Sequence, residues 1–314
     1  MHSVRAAVLV PIALSVTLAS GAPPEFATSV SNSQPILWYR LGEPSGNFVN
    51  SGTLGPAFNA FATGTPTRAV PTPGGDTGIA LARGAFLESF GVSPLTGNPT
   101  FSIEAVVNLA DPGAASFWGP FLHWGDGGAN RSGREVYFGI QASNNNRVYA
   151  GFYNGGIRTS DILSGNTWVH VVWTRQGGNN SEAGSSLYIN GCLVATQRDP
   201  DLSPGFFSAA NINVTPTTFR INEARDVLGN RYFTGILDEV ALYNRILTAE
   251  EIEARGSIFR CAADRNCDGG VDGDDVIVFF NAWDQSLPEG DFTGDGGVDG
   301  DDVIAFFERW DFGC

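Results

Sequence analysis

The chain has 314 residues, 42% of them apolar, which is enough for a sizeable core and sets disorder aside as the default reading. Its formal charge of −15 is concentrated at one end: residues 261–314 hold 14 acidic residues against two arginines, a balance of −12, which leaves about −3 for everything before them. That remainder gives no electrostatic footprint for nucleic acid or an anionic membrane surface, and because all 18 basic residues are arginine, lysine-based catalysis is excluded.

The first 21 residues, with Arg5, an apolar run from Ala6 to Ala19 and small residues up to Ala22, read as a secretory signal peptide. The run is too short for a membrane span and no later run approaches that length, so the mature chain is expected to lack a transmembrane segment and to be secreted or held at the cell surface. Residues 22–30 read as a linker. Four cysteines, Cys192, Cys261, Cys267 and Cys314, fit an oxidising compartment, and four allow three pairings. Sequons stand at Asn130, Asn179 and Asn213.

Residues 31–258 read as short strands separated by Gly, Asn, Pro and Ser clusters. In FSIEAVVNL, Phe101, Ile103, Ala105, Val107 and Leu109 alternate with Ser102, Glu104 and Asn108, the period of a strand with one buried face. In WVHVVWTRQ, Val169, Val171 and Trp173 make one face, and Trp168, His170 and Thr174 the other, which puts His170 on the solvent side. REVYFGIQAS and NRVYAGFYN, parted by Asn144 and Asn145, read as a hairpin, and SSLYINGCLVAT carries Asn190-Gly191 between two apolar runs, a strong two-residue turn signal. One helix is expected, in LTAEEIEARGSI, where Thr248 and Glu251 are spaced as a capping box. The fold class is therefore mainly β: an antiparallel jelly-roll sandwich closed by a short helix.

The order FSIEAVVNL, WVHVVWTRQG, LYINGCLVA and FTGILDEVALYNRILTAEEIEA resembles the laminin-G-like, concanavalin A-like jelly-roll family over about residues 30–258. The resemblance implies a two-sheet sandwich for extracellular recognition, of a glycan or a matrix protein, sometimes with a calcium ion of its own; it does not imply catalysis. Glycoside hydrolases of this fold place two carboxylates at alternate strand positions about 5 Å apart. No such pattern is present: Asp238 and Glu239 are adjacent and expected on opposite faces, Asp238 reads as structural, and Glu104 stands alone. A polysaccharide lyase of this fold would want a Tyr, His, Arg and Gln cluster, of which VYAGFYN with His170 or His123 is a faint echo. His123, beside Trp124, reads as a loop or strand-end residue without a partner. The expectation is thus a noncatalytic protein, with a carbohydrate-active enzyme as the alternative. Trp118, Trp124, Tyr137, Tyr149, Tyr153 and Arg158 are the candidate sugar-stacking and hydroxyl-binding residues, each weighed against ordinary core burial.

Two near-copies of one twenty-residue stretch end the chain, starting at Asp264 and Asp291. Asp264, Asn266, Asp268, Gly269, Gly270, Asp272 and Asp275 stand at positions 1, 3, 5, 6, 7, 9 and 12 of a twelve-residue loop; Asp291, Thr293, Asp295, Gly296, Gly297, Asp299 and Asp302 repeat them. Calcium wants six to eight oxygen ligands, and this spacing wraps carboxylates around one point, with glycine at position 6 for the sharp turn and a carbonyl at position 7. Val276, Phe279, Phe280 and Trp283 behind the first loop, and Val303, Phe306, Phe307 and Trp310 behind the second, are spaced as one helical face.

Aspartate at position 12, a 27-residue repeat and the ending FGC make residues 261–314 resemble a dockerin of the Gly-Cys-terminated kind, a pair of EF-hand-like loops with two calcium ions. The resemblance implies attachment through a cohesin or a cell-envelope or sorting partner. Gly273-Asp274 and Gly300-Asp301 stand at positions 10 and 11, where cohesin-binding members commonly carry small hydroxyl residues, so a sorting or surface-attachment role fits better. The ends of a duplicated helix pair tend to lie close, which favours a Cys261–Cys314 clasp and leaves Cys192 for Cys267; Cys261 with Cys267 stays open as a short loop.

Overall fold

In a computed structural model the residues described are 24–72, 76–110, 118–126, 132–141, 146–153, 155–198, 211–225 and 231–312. The expected signal peptide and Cys314 lie outside them. Two eight-stranded sheets stack as a sandwich, with two helices at one side and two more in the tail. In chain order the strands are β1 (Leu37–Tyr39), β2 (Ala60–Thr63), β3 (Thr67–Pro71), β4 (Thr77–Leu81), β5 (Phe86–Val92), β6 (Phe101–Leu109), β7 (Gly119–Gly125), β8 (Glu135–Gln141), β9 (Arg147–Phe152) and β10 (Gly155–Thr159). There follow β11 (Trp168–Arg175), β12 (Ser185–Ile189), β13 (Cys192–Leu193), β14 (Thr196–Arg198), β15 (Thr218–Ile221) and β16 (Gly235–Tyr243).

The first sheet runs β13-β12-β11-β6-β16-β4-β3, with β1 also on β16; the second runs β14-β10-β9-β8-β7-β15-β5-β2, and all pairs are antiparallel. The inward sides meet in one apolar core, to which Phe101, Ile103, Ala105, Val107 and Leu109 of β6 and Val169, Val171 and Trp173 of β11 contribute as their period of two requires. Asn190 and Gly191 turn β12 into β13 with φ +51° and +87°, the left-handed pair that a two-residue hairpin turn needs.

Helix α1 (Pro24–Asn32) replaces most of the expected linker. It forms there because Phe26 and Val30, one turn apart, are both fully buried against Trp38, Val106, Val172 and Tyr243 on the outer side of the first sheet. Helix α2 (Ala249–Gly256) lies beside it and carries the capping box: Thr248 accepts from the Glu251 amide while Glu251 accepts from the Thr248 amide. These two helices roof the face on which His170 sits, so His170 is fully buried and not on the solvent side.

The tail places helix α3 (Gly273–Asp284) behind the first acidic loop and α4 (Gly300–Phe312) behind the second. Phe279 and Phe306, equivalent positions of the two copies, stack face to face with ring centroids 4.3 Å apart and form the tail's own core with Ala263. Cys192 on β13 is bonded to Cys267 in the first acidic loop, Cα to Cα 5.9 Å, so the tail is stapled to the sandwich. Among the described residues no helix is long and apolar enough to cross a membrane.

Candidate functional site

Three polar assemblies stand out, and the two faces of the sandwich hold one each. On the roofed face of the first sheet, Glu104 is completely buried, yet it is far from alone. Its Oε2 accepts from Arg255 Nε of α2 (2.9 Å) and lies 2.9 Å from His170 Nε2, and Tyr243 donates to its other oxygen. Arg255 in turn donates to Ser29 and Ser33 of α1. Burial pushes the Glu104 carboxyl up, but Arg255 and His170 outweigh it and hold it below the usual range; burial pulls His170 down. The assembly is a structural knot tying both helices to the sheet, with His170 Nδ1 and Arg255 Nη2 buried and unpartnered.

On the outer side of the second sheet the strand registers align one residue per strand: Phe61, Glu88, Arg220, His123, Tyr137, Gly151 and Gly156, from β2 across to β10. Strands lie about 4.8 Å apart, so the row spans roughly 29 Å. Glu88 pairs with Arg220 (2.9 Å) and Arg225 (2.5 Å), and burial, which pushes its carboxyl up, is outweighed by Thr218 and these arginines, so it sits below the ordinary range. His123 Nε2 is 3.5 Å from Glu135 Oε2, to which the Tyr137 hydroxyl donates (2.8 Å). His123 is therefore a mid-strand residue with a partner. It points outward because β7 shifts register between Pro120 and Leu122, which turns Phe121, Leu122 and Trp124 inward. Burial lowers the His123 pKa against the pull of Glu135, and burial with Glu135 raises that of Tyr137.

Of the six candidate ligand residues, Trp118, Tyr137, Tyr149 and Tyr153 gather in one aromatic cluster on this side, in which Tyr137 and Tyr149 are buried and only Trp118 and Tyr153 are half-exposed. Trp118 stacks on Tyr149 (5.7 Å, 24°), with the Arg231 guanidinium 4.5 Å from the Trp118 ring. Gly151 and Gly156 make room for Tyr149: a Cβ on either would come within 2.9 or 2.6 Å of its hydroxyl. Arg158 lies on the adjoining strand and donates to Gln141 Oε1 (3.2 Å). Trp124 does not belong: it is completely buried between the sheets against Phe101 and Phe219, with its indole N–H on the Leu95 carbonyl. Sequence reasoning missed Glu88, Glu135, Arg220 and Arg231, although Glu88 and Arg220 alternate with core residues on their strands. At the far end of the row Phe61 and Phe90 are paired, ring centroids 5.4 Å apart, and Phe90 is 54% exposed.

Asp238 and Glu239 are both fully buried, and because Leu237 and Val240 on either side of them both face the core, the pair is not split between opposite faces as alternation would require. A bulge in β16, with Glu239 at φ +51°, breaks the alternation between Asp238 and Ala241. Burial pushes the Glu239 carboxyl up to about 7 despite hydrogen bonds from Trp38 and Arg40.

The third assembly is the pair of tail loops. Gly269 and Gly296 at position 6 have φ +87° and +91°, a conformation that favours glycine, and their amides donate to Asp264 (3.1 Å) and Asp291 (2.8 Å) at position 1. Asp275 at position 12 accepts from the amides of Arg265, Asn266 and Asp272, and Asp302 from those of Thr293 and Asp299. Each loop is thus wound on its own first and last carboxylates, bringing Asn266, Asp268, Gly270 and Asp272, or Thr293, Asp295, Gly297 and Asp299, onto one short turn. Among the described residues no three His, Cys, Asp or Glu side chains already converge as a metal-holding group. The donor set nevertheless fits a hard cation: it is all oxygen, and Asp264 Oδ1 is buried with no hydrogen-bond partner.

No curated protein sequence matches the chain. Among solved structures it is similar to the fourth domain of an extracellular arabinanase from Geobacillus stearothermophilus, solved with arabinotriose: 15% identity, 71% of this chain and 98% of that one, TM-score 0.48. It is also similar to a Trypanosoma rangeli sialidase (16%, 71% and 32%, TM-score 0.48) and to the carbohydrate-binding module of a Ruminococcus gnavus sialidase bound to sialyllactose (15%, 50% and 83%, TM-score 0.37). The family model of concanavalin A-like lectins and glucanases, in its laminin-G form, matches residues 74–253, over half of the chain. With the two-sheet antiparallel sandwich, that match makes this chain a member of the concanavalin A-like lectin/glucanases superfamily.

Proposed function

We propose that the chain is an exported, noncatalytic recognition protein that holds a glycan, or a glycan-bearing matrix protein, on the outer side of its second sheet. The observation that carries this is the gathering of Trp118, Tyr137, Tyr149 and Tyr153 with Arg231 beside the Glu88–Arg220–Arg225 network. Trp118 and Tyr153, the half-buried members over buried Tyr137 and Tyr149, offer ring faces for sugar rings, and the Glu88, Arg220 and Arg225 side chains offer donors and acceptors for hydroxyls. A glycan array probed with wild type and Trp118→Ala tests it: bound glycans lost in the variant support the reading, and a blank array with folded wild type opposes it.

The alternative, a carbohydrate-active enzyme, gains from one observation. His123, Tyr149, Arg158 and Gln141, the residue types a lyase of this fold would use, occupy four neighbouring strands of one face. Complete burial of His123 and Gln141 keeps both from proton transfer to a substrate in this conformation. Appearance of the ultraviolet absorbance of an unsaturated uronic product, on incubation with acidic polysaccharides, would reverse the preference.

The tail is a dockerin-like module that binds a calcium ion in each loop and attaches or sorts the protein through an envelope partner, with a cohesin as the less favoured partner. Asp264, Asn266, Asp268, Gly270, Asp272 and Asp275, and their counterparts Asp291, Thr293, Asp295, Gly297, Asp299 and Asp302, would supply the oxygens. Calcium there neutralises clustered carboxylates and so couples binding to folding. Pull-down from the host envelope in calcium and in chelator tests the partner; no calcium-dependent capture would count against it.

A further inference from the structure

The two tail loops are copies in sequence but not in setting. At position 4 the second loop has Gly294 at φ +73°, whereas the first has Cys267 at φ +64°, a left-handed conformation disfavoured for a residue with a Cβ. Cys267 is kept there by its bond to Cys192 on β13. Arg260 reinforces the anchor: its guanidinium donates to the Asp264 carbonyl (2.8 Å) and to Glu253 of α2 (2.9 Å) and lies 3.0 Å from the Cys267 sulfur. The second loop has no counterpart to this bridge in the sequence.

The position-1 carboxylates differ accordingly. Asp291 is turned onto its own loop, Oδ1 accepting from the amides of Gly294 (2.8 Å) and Asp295 (3.2 Å) and from the Thr293 hydroxyl (3.4 Å), and Oδ2 from Gly296. Asp264 is 6% exposed, accepts from the Gly269 amide on Oδ2 with the Cys267 amide also near its carboxylate, and leaves Oδ1 buried with no hydrogen-bond partner. A buried unpaired oxygen is costly, and a cation beside it removes the cost; in the second loop a cation must first compete with amides already in place.

We propose that the first loop is the tighter cation site and fills before the second, because the Cys192–Cys267 bridge holds it in its binding shape; breaking the bridge lowers its affinity to that of the second loop. The proposal rests on the calcium reading of the tail. The bridge therefore makes the sandwich a part of the first cation site, and makes that site sensitive to reduction.

Terbium titration of the mature chain, with calcium as competitor, tests this. Each loop has its own antenna, since Trp310 donates to the Asp272 carbonyl of the first loop (3.3 Å) and Trp283 to the Asp299 carbonyl of the second (2.7 Å). Two calcium-displaceable phases are expected, the tight one lost in Asp264→Ala and the weak one in Asp291→Ala. Replacing both bridge cysteines with serine should weaken the tight phase about five- to thirtyfold, the equilibrium cost of a left-handed non-glycine residue. The Cys192→Ser, Cys267→Gly pair should weaken it less, because glycine adopts that conformation freely. Where a variant fails a thermal-melt check, mild reduction of folded wild type provides the same comparison. Equal phases, a tight phase belonging to Asp291, or bridge loss that leaves the tight phase unchanged or weakens both alike would overturn the proposal while leaving calcium binding intact. Absence of any calcium-displaceable phase in wild type would remove both.

Discussion

Both outer faces of the sandwich carry a buried carboxylate ringed by His and Tyr, yet they are finished differently. Glu104 is answered by Arg255 from α2, and the serines of α1 complete the knot, so that face is closed by the chain itself. Glu135 has only His123 and Tyr137 among the described residues, keeps Oε1 unpartnered, and lies beside the row that runs from Phe61 to Gly156. Similar residue types thus lock helices to a sheet on one side, whereas on the other the carboxylate is held by strand residues alone among the described residues. What separates the two roles is whether an arginine of the chain completes the charge.

The largest effects should come from breaking the closed face. Arg255→Ala leaves Glu104 buried without its counter-ion and is expected to cost about 3–5 kcal/mol in denaturant unfolding, whereas Glu135→Gln on the other face should cost less than about 1 kcal/mol. Equal losses would erase the distinction between the faces.

Glu239, on β16 beside Trp38, Arg40, Asp76 and Asp238, gives a pH test. Its carboxyl is raised from 4.5 to about 7, so its protonated form favours the fold. That contribution is whole below about pH 4.5 and is lost as pH rises through about 7. Glu239→Gln should therefore be the more stable protein at pH 8, by roughly 3 kcal/mol at most, and should converge with wild type near pH 4. Parallel stability curves across that window would contradict the assignment.

Calcium in hundredfold excess over its dissociation constant should stabilise the tail by about 3 kcal/mol per site, read as a rise in its melting temperature and its reversal by chelator. The smallest stability change is expected for Trp118→Ala, within about 1 kcal/mol because the ring is only half-buried, together with loss of ligand. Trp124→Ala is the useful contrast: it empties the core and should cost about 3–5 kcal/mol while saying nothing about recognition.

Much of the fold was legible because it follows local rules. The period of two in β6 and β11, the Asn190-Gly191 turn and the Thr248–Glu251 box each settle a few residues from their neighbours alone. The faces were harder. His170 alternates as a solvent residue, and nothing near it in sequence announces that Phe26 and Val30, some 140 positions earlier, cover it. Asp238 and Glu239 were misplaced by a bulge, and His123 and Trp124 by a register shift, both irregularities in strands whose composition looks regular. The row on the second sheet combines residues from seven strands, so only pairing register reveals it; the two acidic loops, contained in twelve residues each, show their repeat in the sequence alone.

The outer side of the second sheet as a glycan face is the central claim, and a single array comparison addresses it most directly. Wild type and Trp118→Ala, matched for melting temperature, should differ by the loss of a defined set of bound glycans from the variant. A signal of equal strength in both, or none from folded wild type in calcium, would contradict it.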